Sequence, residues 1–188
     1  MTSVVLTGEI HIGKTTVSRT IAELAQERGY CVHGILTPPI LDSDGTRLGI
    51  EAVNLASGER RELARVWRGH RKQEEDWNWD GPQIGPYYFD PAVLVWAHDA
   101  IARGIALDCD LLIIDEIGRL ELEQGLGFSQ VLDLLGTSIV VRSLVVVRAS
   151  LLEAFRRRLP KLEFVTFTVT SENRDDLATE IAERLFLS

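Results

Sequence analysis

The run Gly8-Glu9-Ile10-His11-Ile12-Gly13-Lys14-Thr15 sets two glycines, a lysine and a hydroxyl at the GxxxxGK[ST] spacing, which suits the holding of a polyphosphate. Glycines let the backbone turn so that successive N–H groups face inward as an anion-binding nest. A helix opening at Lys14 adds the partial positive charge of its N-terminus. On this reading the residues from Gly8 to Thr16 (Gly8, Glu9, Ile10, His11, Ile12, Gly13, Lys14, Thr15 and Thr16) surround the phosphates. Lys14 reaches the β and γ groups, and the Thr15 hydroxyl joins the shell of a magnesium ion. The plainer alternative is a tight turn with an exposed lysine. His11 stands where many phosphate loops carry a third glycine; its ring either points outward as a spacer or covers the triphosphate.

A second pair of reactive groups, Asp115-Glu116, closes the apolar run Leu111 to Ile114. A buried strand that ends in two carboxylates delivers them to the sheet edge where open α/β folds bind ligands. Asp115 is expected to orient Mg2+, through a water, and Glu116 to polarise the attacking water. In-line displacement at phosphorus needs positioning and charge neutralisation, so one carboxylate near the γ-phosphate suffices for slow turnover. The bland reading is a pair of solvated strand-end acids. Asp115 to Gly118 also fits the DxxG spacing of signalling GTPases, but the chain contains no NKxD for guanine selection.

Those residues must be positioned by alternating short apolar runs and amphipathic stretches, a pattern that predicts βα units around a mostly parallel sheet. Strands are expected at Ser3 to Thr7, Cys31 to Thr37, Asp110 to Asp115, Leu144 to Arg148 and Phe164 to Thr170. Helices are expected from Lys14 to Arg28, Pro91 to Arg103, Ser129 to Leu135, Leu151 to Leu159 and Arg174 to Leu185. Simple alternation is broken at Ile40-Leu41 and Leu48 to Leu55, which read as an antiparallel hairpin around Ser43-Asp44-Gly45-Thr46. Another turn at Ala56 to Glu59 leads into Arg60 to Val66. Trp67 to Pro86 has no regular period and holds three of the four tryptophans, which would anchor it, present a partner surface or stack on a base. No linker divides the chain, so residues 1–188 are read as one domain.

Twenty Lys and Arg face 28 Asp and Glu, a net charge of −8 that disfavours bulk binding to a nucleic acid backbone. No run reaches the length needed to span a bilayer, and the first ten residues form a strand pattern rather than a leader, so a cytoplasmic protein is expected. Cys31 and Cys109 match no CxxC spacing and are read as reduced, partly buried thiols without a metal.

Extended in both directions, these motifs resemble a particular family. Asp115-Glu116-Ile117-Gly118-Arg119-Leu120-Glu121-Leu122 is similar to the DEIG(K/R)xEL signature of the cancer-related and thermostable nucleoside-triphosphatases. Gly34-Ile35-Leu36-Thr37 with Gly45 to Ile50, Leu55 to Glu59, Gly85-Pro86-Tyr87, and Thr170 to Leu177 resemble further blocks of that family in the same order. The resemblance implies a single RecA-like P-loop domain of three-layer α/β type that slowly hydrolyses ATP, GTP and other nucleoside triphosphates to diphosphate and phosphate. The chain departs from the family at His11, at Ile50 where Phe is frequent, and in the tryptophan-rich segment.

Other residues have two readings each. Arg47, matching the family's arginine, is either an internal arginine finger or a surface turn residue. Asn173 and Arg174 either contact the base or, through Asn173, cap the last helix. Arg148 is placed to sense the γ-phosphate or only to end its strand. Arg156, Arg157 and Arg158 read as a solvated helix face. Two other functions would use the same loop. One is a small-molecule kinase, in which Glu116 activates an acceptor hydroxyl; the other is a nucleotide-dependent switch acting on a protein partner.

Overall fold

A computed structural model describes residues 2–67, 80–135 and 142–186. Most of the tryptophan-rich segment, residues 68–79, lies outside the described residues. The expected parallel core is present: β1 (Thr2–Gly8), β2 (Val32–Leu36), β8 (Leu111–Ile117), β9 (Arg142–Val147) and β10 (Val165–Val169) run in the spatial order β10-β1-β9-β8-β2. All four neighbouring pairs in this group are parallel. β9 therefore lies between the strand that feeds the phosphate loop and the strand that ends in the two carboxylates.

Beyond β2 the sheet turns antiparallel and extends further than one hairpin. β3 (Pro39–Leu41), β4 (Arg47–Asn54), β5 (Arg60–Val66), β6 (Gln83–Ile84) and β7 (Tyr87–Phe89) form this wing, in which β4 pairs with β2, β3 and β5, and β7 with β5 and β6. The β3–β4 turn is set by Asp42, whose carboxylate accepts the amides of Asp44 at 3.0 Å and Thr46 at 2.7 Å. Gly45 there has φ 76.

Both faces of the parallel core are apolar, and the two-residue period divides them. Val4, Leu6, Leu111, Ile113, Leu144 and Val146 pack under α1 (Lys14–Glu27) and α6 (Leu177–Phe186). Val5, Leu112, Ile114, Val145 and Val147 face the opposite layer, formed by α2 (Pro91–Ala106), α4 (Ser129–Leu135) and α5 (Leu152–Arg158). The result is a three-layer α/β fold. α2 starts where the sequence fixes it: Pro91 takes the first turn, and the Asp90 carboxylate accepts Ala92 N–H at 2.8 Å and Val93 N–H at 3.2 Å.

Three local expectations change. α6 begins at Leu177 instead of Arg174, because residues 171–176 are turns. A short helix, α3 (Arg119–Leu122), follows β8 directly and was not legible as a period. Cys31 is exposed and only Cys109 is buried; both are free, and burial pushes the Cys109 thiol up to about 11. Among the described residues no helix is long and apolar enough to cross a membrane.

Candidate active site

The phosphate loop joins β1 to α1 through three residues with positive φ: Gly8 at 143°, His11 at 66° and Gly13 at 112°. Gly8 has no room for a side chain, since a Cβ there would lie 2.7 Å from the Val169 carbonyl of β10. Gly13 is the N-cap of α1 and offers no capping side chain, so the first-turn N–H groups remain available to an anion. His11 adopts the left-handed conformation that glycine takes more easily, which accounts for the usual glycine there. The residue is exposed and stands on the wall of the cleft.

Lys14 folds back over its own loop. Its ammonium donates to the Gly8 carbonyl at 3.1 Å and the Glu9 carbonyl at 2.6 Å. Burial holds its pKa below the ordinary lysine value, opposed by the nearby carboxylates of Glu116 and Asp115; Arg148 pushes the same way as burial.

Asp115 is 1% exposed, and its Oδ2 accepts the Thr37 amide at 3.0 Å. Burial raises its pKa to about 6, partly offset by the hydrogen bonds from Thr37 N–H and the Thr15 hydroxyl. Glu116 lies differently. The β8–β9 register shifts between Asp115 and Ile117, which leaves Glu116 out of the ladder, and its carboxylate pairs with the Arg148 guanidinium just past β9. The Asp115–Glu116 peptide is cis.

One cleft of about 210 Å³ gathers Lys14, Thr15, Arg47, Asp115, Glu116 and Arg148. Ile10, His11, Gly13 and Thr16 complete its loop side, and Thr37 and Pro39 the other. Arg47, at the start of β4, donates to the Tyr87 hydroxyl at 3.3 Å and is half-buried, so it is not a free surface turn residue. Thr37 had no assigned role in the sequence; its amide is what holds Asp115.

Other expected site residues stand outside this lining. Gly8 and Glu9 contribute carbonyls to Lys14. Ile12 packs on the core beneath α1. Asn173 fastens the loop after β10, accepting Thr170 N–H at 2.8 Å and donating to the Thr168 carbonyl at 2.9 Å. Its main-chain carbonyl accepts the Leu177 amide at 2.9 Å. Arg174 pairs with Asp175 at 3.4 Å and runs beside Gly13, where a Cβ would come within 3.9 Å of its Cδ.

No group of three or more His, Cys, Asp or Glu residues suited to a metal occurs among the described residues. The cleft instead offers the Thr15 hydroxyl and the buried Asp115 carboxylate, two hard oxygens at one floor. That fits an ion that keeps waters and takes its other ligands from substrate phosphates.

Below the cleft lies a second buried acid. Glu121 is 6% exposed, and its two carboxylate oxygens accept the Gly118 amide at 2.8 Å and the Phe128 amide at 3.3 Å. It approaches because residue 127 is glycine: a Cβ there would meet Glu121 Oε1 at 2.3 Å. Glu121 thus fixes the loop that follows Glu116. Burial raises its pKa from 4.5 to about 7. The folded state therefore binds the proton more tightly, and stability present below about pH 4.5 is lost as pH rises through about 7. The group accounts for up to about 3 kcal/mol across that window. Glu121→Gln is expected to flatten this slope in urea titrations at pH 5 and pH 8. It should also cost about 1–3 kcal/mol at pH 5, because its amide nitrogen faces a backbone N–H.

The fold and the cleft define a class, that of α/β phosphate-loop proteins with nucleoside-triphosphate chemistry. A family model described as NTPase matches residues 3–182. The chain is 32% identical over 183 residues to nucleoside-triphosphatase THEP1 of Methanopyrus kandleri, covering 97% of this chain and 94% of that protein. The solution structure of a human cancer-related nucleoside triphosphatase superposes with a TM-score of 0.73 at 28% identity, covering 100% of this chain and 99% of that one. The crystal structure of THEP1 from Aquifex aeolicus shares the fold, with a TM-score of 0.71 at 21% identity, 98% of this chain and 99% of that one. The chain belongs to the nucleoside-triphosphatase family.

Proposed function

We propose that the chain is a magnesium-dependent hydrolase that converts nucleoside triphosphates to diphosphate and phosphate, slowly and with broad base tolerance. The observation that carries this reading is that Lys14, Thr15, Asp115 and Glu116 line one cleft at the end of the parallel strands. Loop amides and Lys14 hold the phosphates. Thr15 and Asp115 would hold Mg2+, which when bound supplies charge neutralisation at the phosphates. Glu116 takes the proton of the attacking water, and Arg47 and Arg148 stand where charge develops on the γ-phosphoryl oxygens.

Arg148 gives this arrangement a ground-state lock. Glu116 is paired with it, and a γ-phosphate competes for the same guanidinium, so the substrate itself releases the base. A base held this way suits slow turnover. Broad base tolerance is supported by Asn173, whose amide is engaged with the Thr168 and Thr170 backbone rather than aimed at a base edge. Both cores rest on one sheet, which supports reading residues 1–188 as a single domain. Free thiols and net charge suit a cytoplasmic setting.

The test is phosphate release from ATP, GTP, CTP and UTP, with magnesium and then with a chelator. All four should be hydrolysed with magnesium and none without it. Lys14→Ala should lower kcat/KM by about 10²–10³-fold, the range for removing one preorganised charge-stabilising donor. Tight nucleotide binding with no phosphate release by the native chain would sink the reading. Release from a single nucleotide would remove the broad tolerance alone.

A further inference from the structure

A second cavity opens on the far side of the Glu116–Arg148 pair. Its volume is about 70 Å³, room for a few waters or one small organic molecule. Its walls are Ile50 of β4, Leu63 of β5, Phe89 of β7, Leu94 of α2, and Leu120 and Phe128 around α3. Thr37, Glu116 and Arg148 line this cavity and the phosphate cleft alike, and Arg119 and Glu121 also border it, the Arg119 guanidinium being paired with Glu123 at 2.8 Å. The two spaces therefore share a wall, and that wall carries the candidate base.

Nothing in hydrolysis uses this cavity. Water needs no apolar chamber, and an unfilled apolar space beside a reacting phosphate forfeits packing. The linings define what would fill it. Apolar side chains from three strands and two helices favour an uncharged hydrocarbon body. Glu121, the acid on the cavity floor, has both oxygens already engaged by the Gly118 and Phe128 amides, so it offers no free charge to a cationic ligand. The shared wall favours a single hydroxyl directed at Glu116.

We propose that this cavity binds a small, mostly apolar alcohol as a phosphoryl acceptor, making the chain a kinase toward that class as well as a hydrolase. The proposal rests on the nucleotide reading above, since it uses the same Lys14, Thr15 and Glu116. In the transfer step the acceptor oxygen forms a bond to the γ-phosphorus. The bond from that phosphorus to the β,γ-bridging oxygen breaks, and the nucleoside diphosphate leaves with the electron pair. The hydroxyl proton goes to the Glu116 carboxylate. The products are a phosphomonoester and the diphosphate, in place of phosphate and the diphosphate. A bound hydroxyl competes well with water because effective molarities of oriented groups reach ~10⁵ M or more.

The experiment measures nucleoside diphosphate and free phosphate in the same sample, with ATP and magnesium, as benzyl alcohol or cyclohexylmethanol is raised to its solubility limit. Glycerol serves as the polar control. The expected result is a diphosphate-to-phosphate ratio that climbs above one with the apolar alcohols and stays at one with glycerol. The missing phosphate should appear as a phosphomonoester in phosphorus NMR. Ile50→Phe, which adds volume at the cavity wall, should pull the ratio back toward one. Because both products come from one sample, loss of fold lowers them together, whereas filling the cavity lowers the ester alone. A ratio of one with both apolar alcohols overturns the proposal, as does a raised ratio that Ile50→Phe leaves untouched. If neither product forms even without alcohol, it is the nucleotide reading that fails.

Discussion

Glu116→Gln is expected to lower kcat for nucleoside-triphosphate hydrolysis by about 10²–10⁴-fold, the range for loss of a positioned general base. Nucleotide affinity should hold or tighten. Glutamine keeps the length of the side chain and can still accept from Arg148, so the wall of the cleft is preserved while the proton acceptor is removed. It also removes a negative charge beside the triphosphate site, near Lys14 and Asp115. Single-turnover phosphate release with an independent binding titration separates the two effects. A variant that keeps wild-type kcat would show that Glu116 does not take the water's proton, and Asp115 would not be the substitute. Its carboxylate is buried and held by the Thr37 amide.

The second large effect is structural and lies in β2. Gly34 has φ 119 and pairs with Ile113 of β8; a Cβ there would sit 1.9 Å from the Ile113 carbonyl oxygen. The obstruction is backbone in the centre of the sheet, so no side-chain rotation relieves it. Gly34→Ala is expected to cost more than about 4 kcal/mol, in the exceptional range for a single substitution and a large share of a domain's stability. Soluble yield and urea midpoint report it. Gly45→Ala is the comparison: its φ is 76, but nothing lies within 4 Å of the added methyl, so about 1–2 kcal/mol is expected. Equal losses from the two would mean that strain in φ, rather than contact with β8, governs Gly34.

Gly34 also shows which parts of the molecule the sequence reveals. The phosphate loop was legible because its glycines, lysine and threonine are contiguous, and because strand and helix periods flank it. The carboxylate pair was legible because four apolar residues precede it. The Gly34 to Thr37 block was legible as part of a strand and as a resemblance, without a reason for its glycine. The structure supplies the reason: the close approach at Gly34 seats β2 on β8 and brings the Thr37 amide to Asp115, 78 positions away. Arg148 and Glu116 meet across a register shift between parallel strands, and no local pattern signals such a shift. Glu121 appeared only within the family signature, and its burial depends on the glycine six residues later. Regularity was expected to resume at Tyr87 to Phe89, where β7 lies, but the antiparallel wing was underestimated at β6, which spans only two residues. Such an element is too short for a period to register.

The wall shared by the two cavities has a thermodynamic consequence. Thr37, Glu116 and Arg148 each present atoms to both spaces, so a molecule that shifts the Glu116–Arg148 pair from one side alters what the other side meets. Linkage makes this reciprocal: the factor by which an occupant of the apolar chamber changes nucleotide affinity equals the factor by which nucleotide changes the occupant's. A triphosphate that draws Arg148 away discriminates between the two states of the pair, and a diphosphate, lacking the γ group, does not. On the proposed reading, the chamber's affinity for an alcohol is expected to differ between the triphosphate-bound and the diphosphate-bound protein.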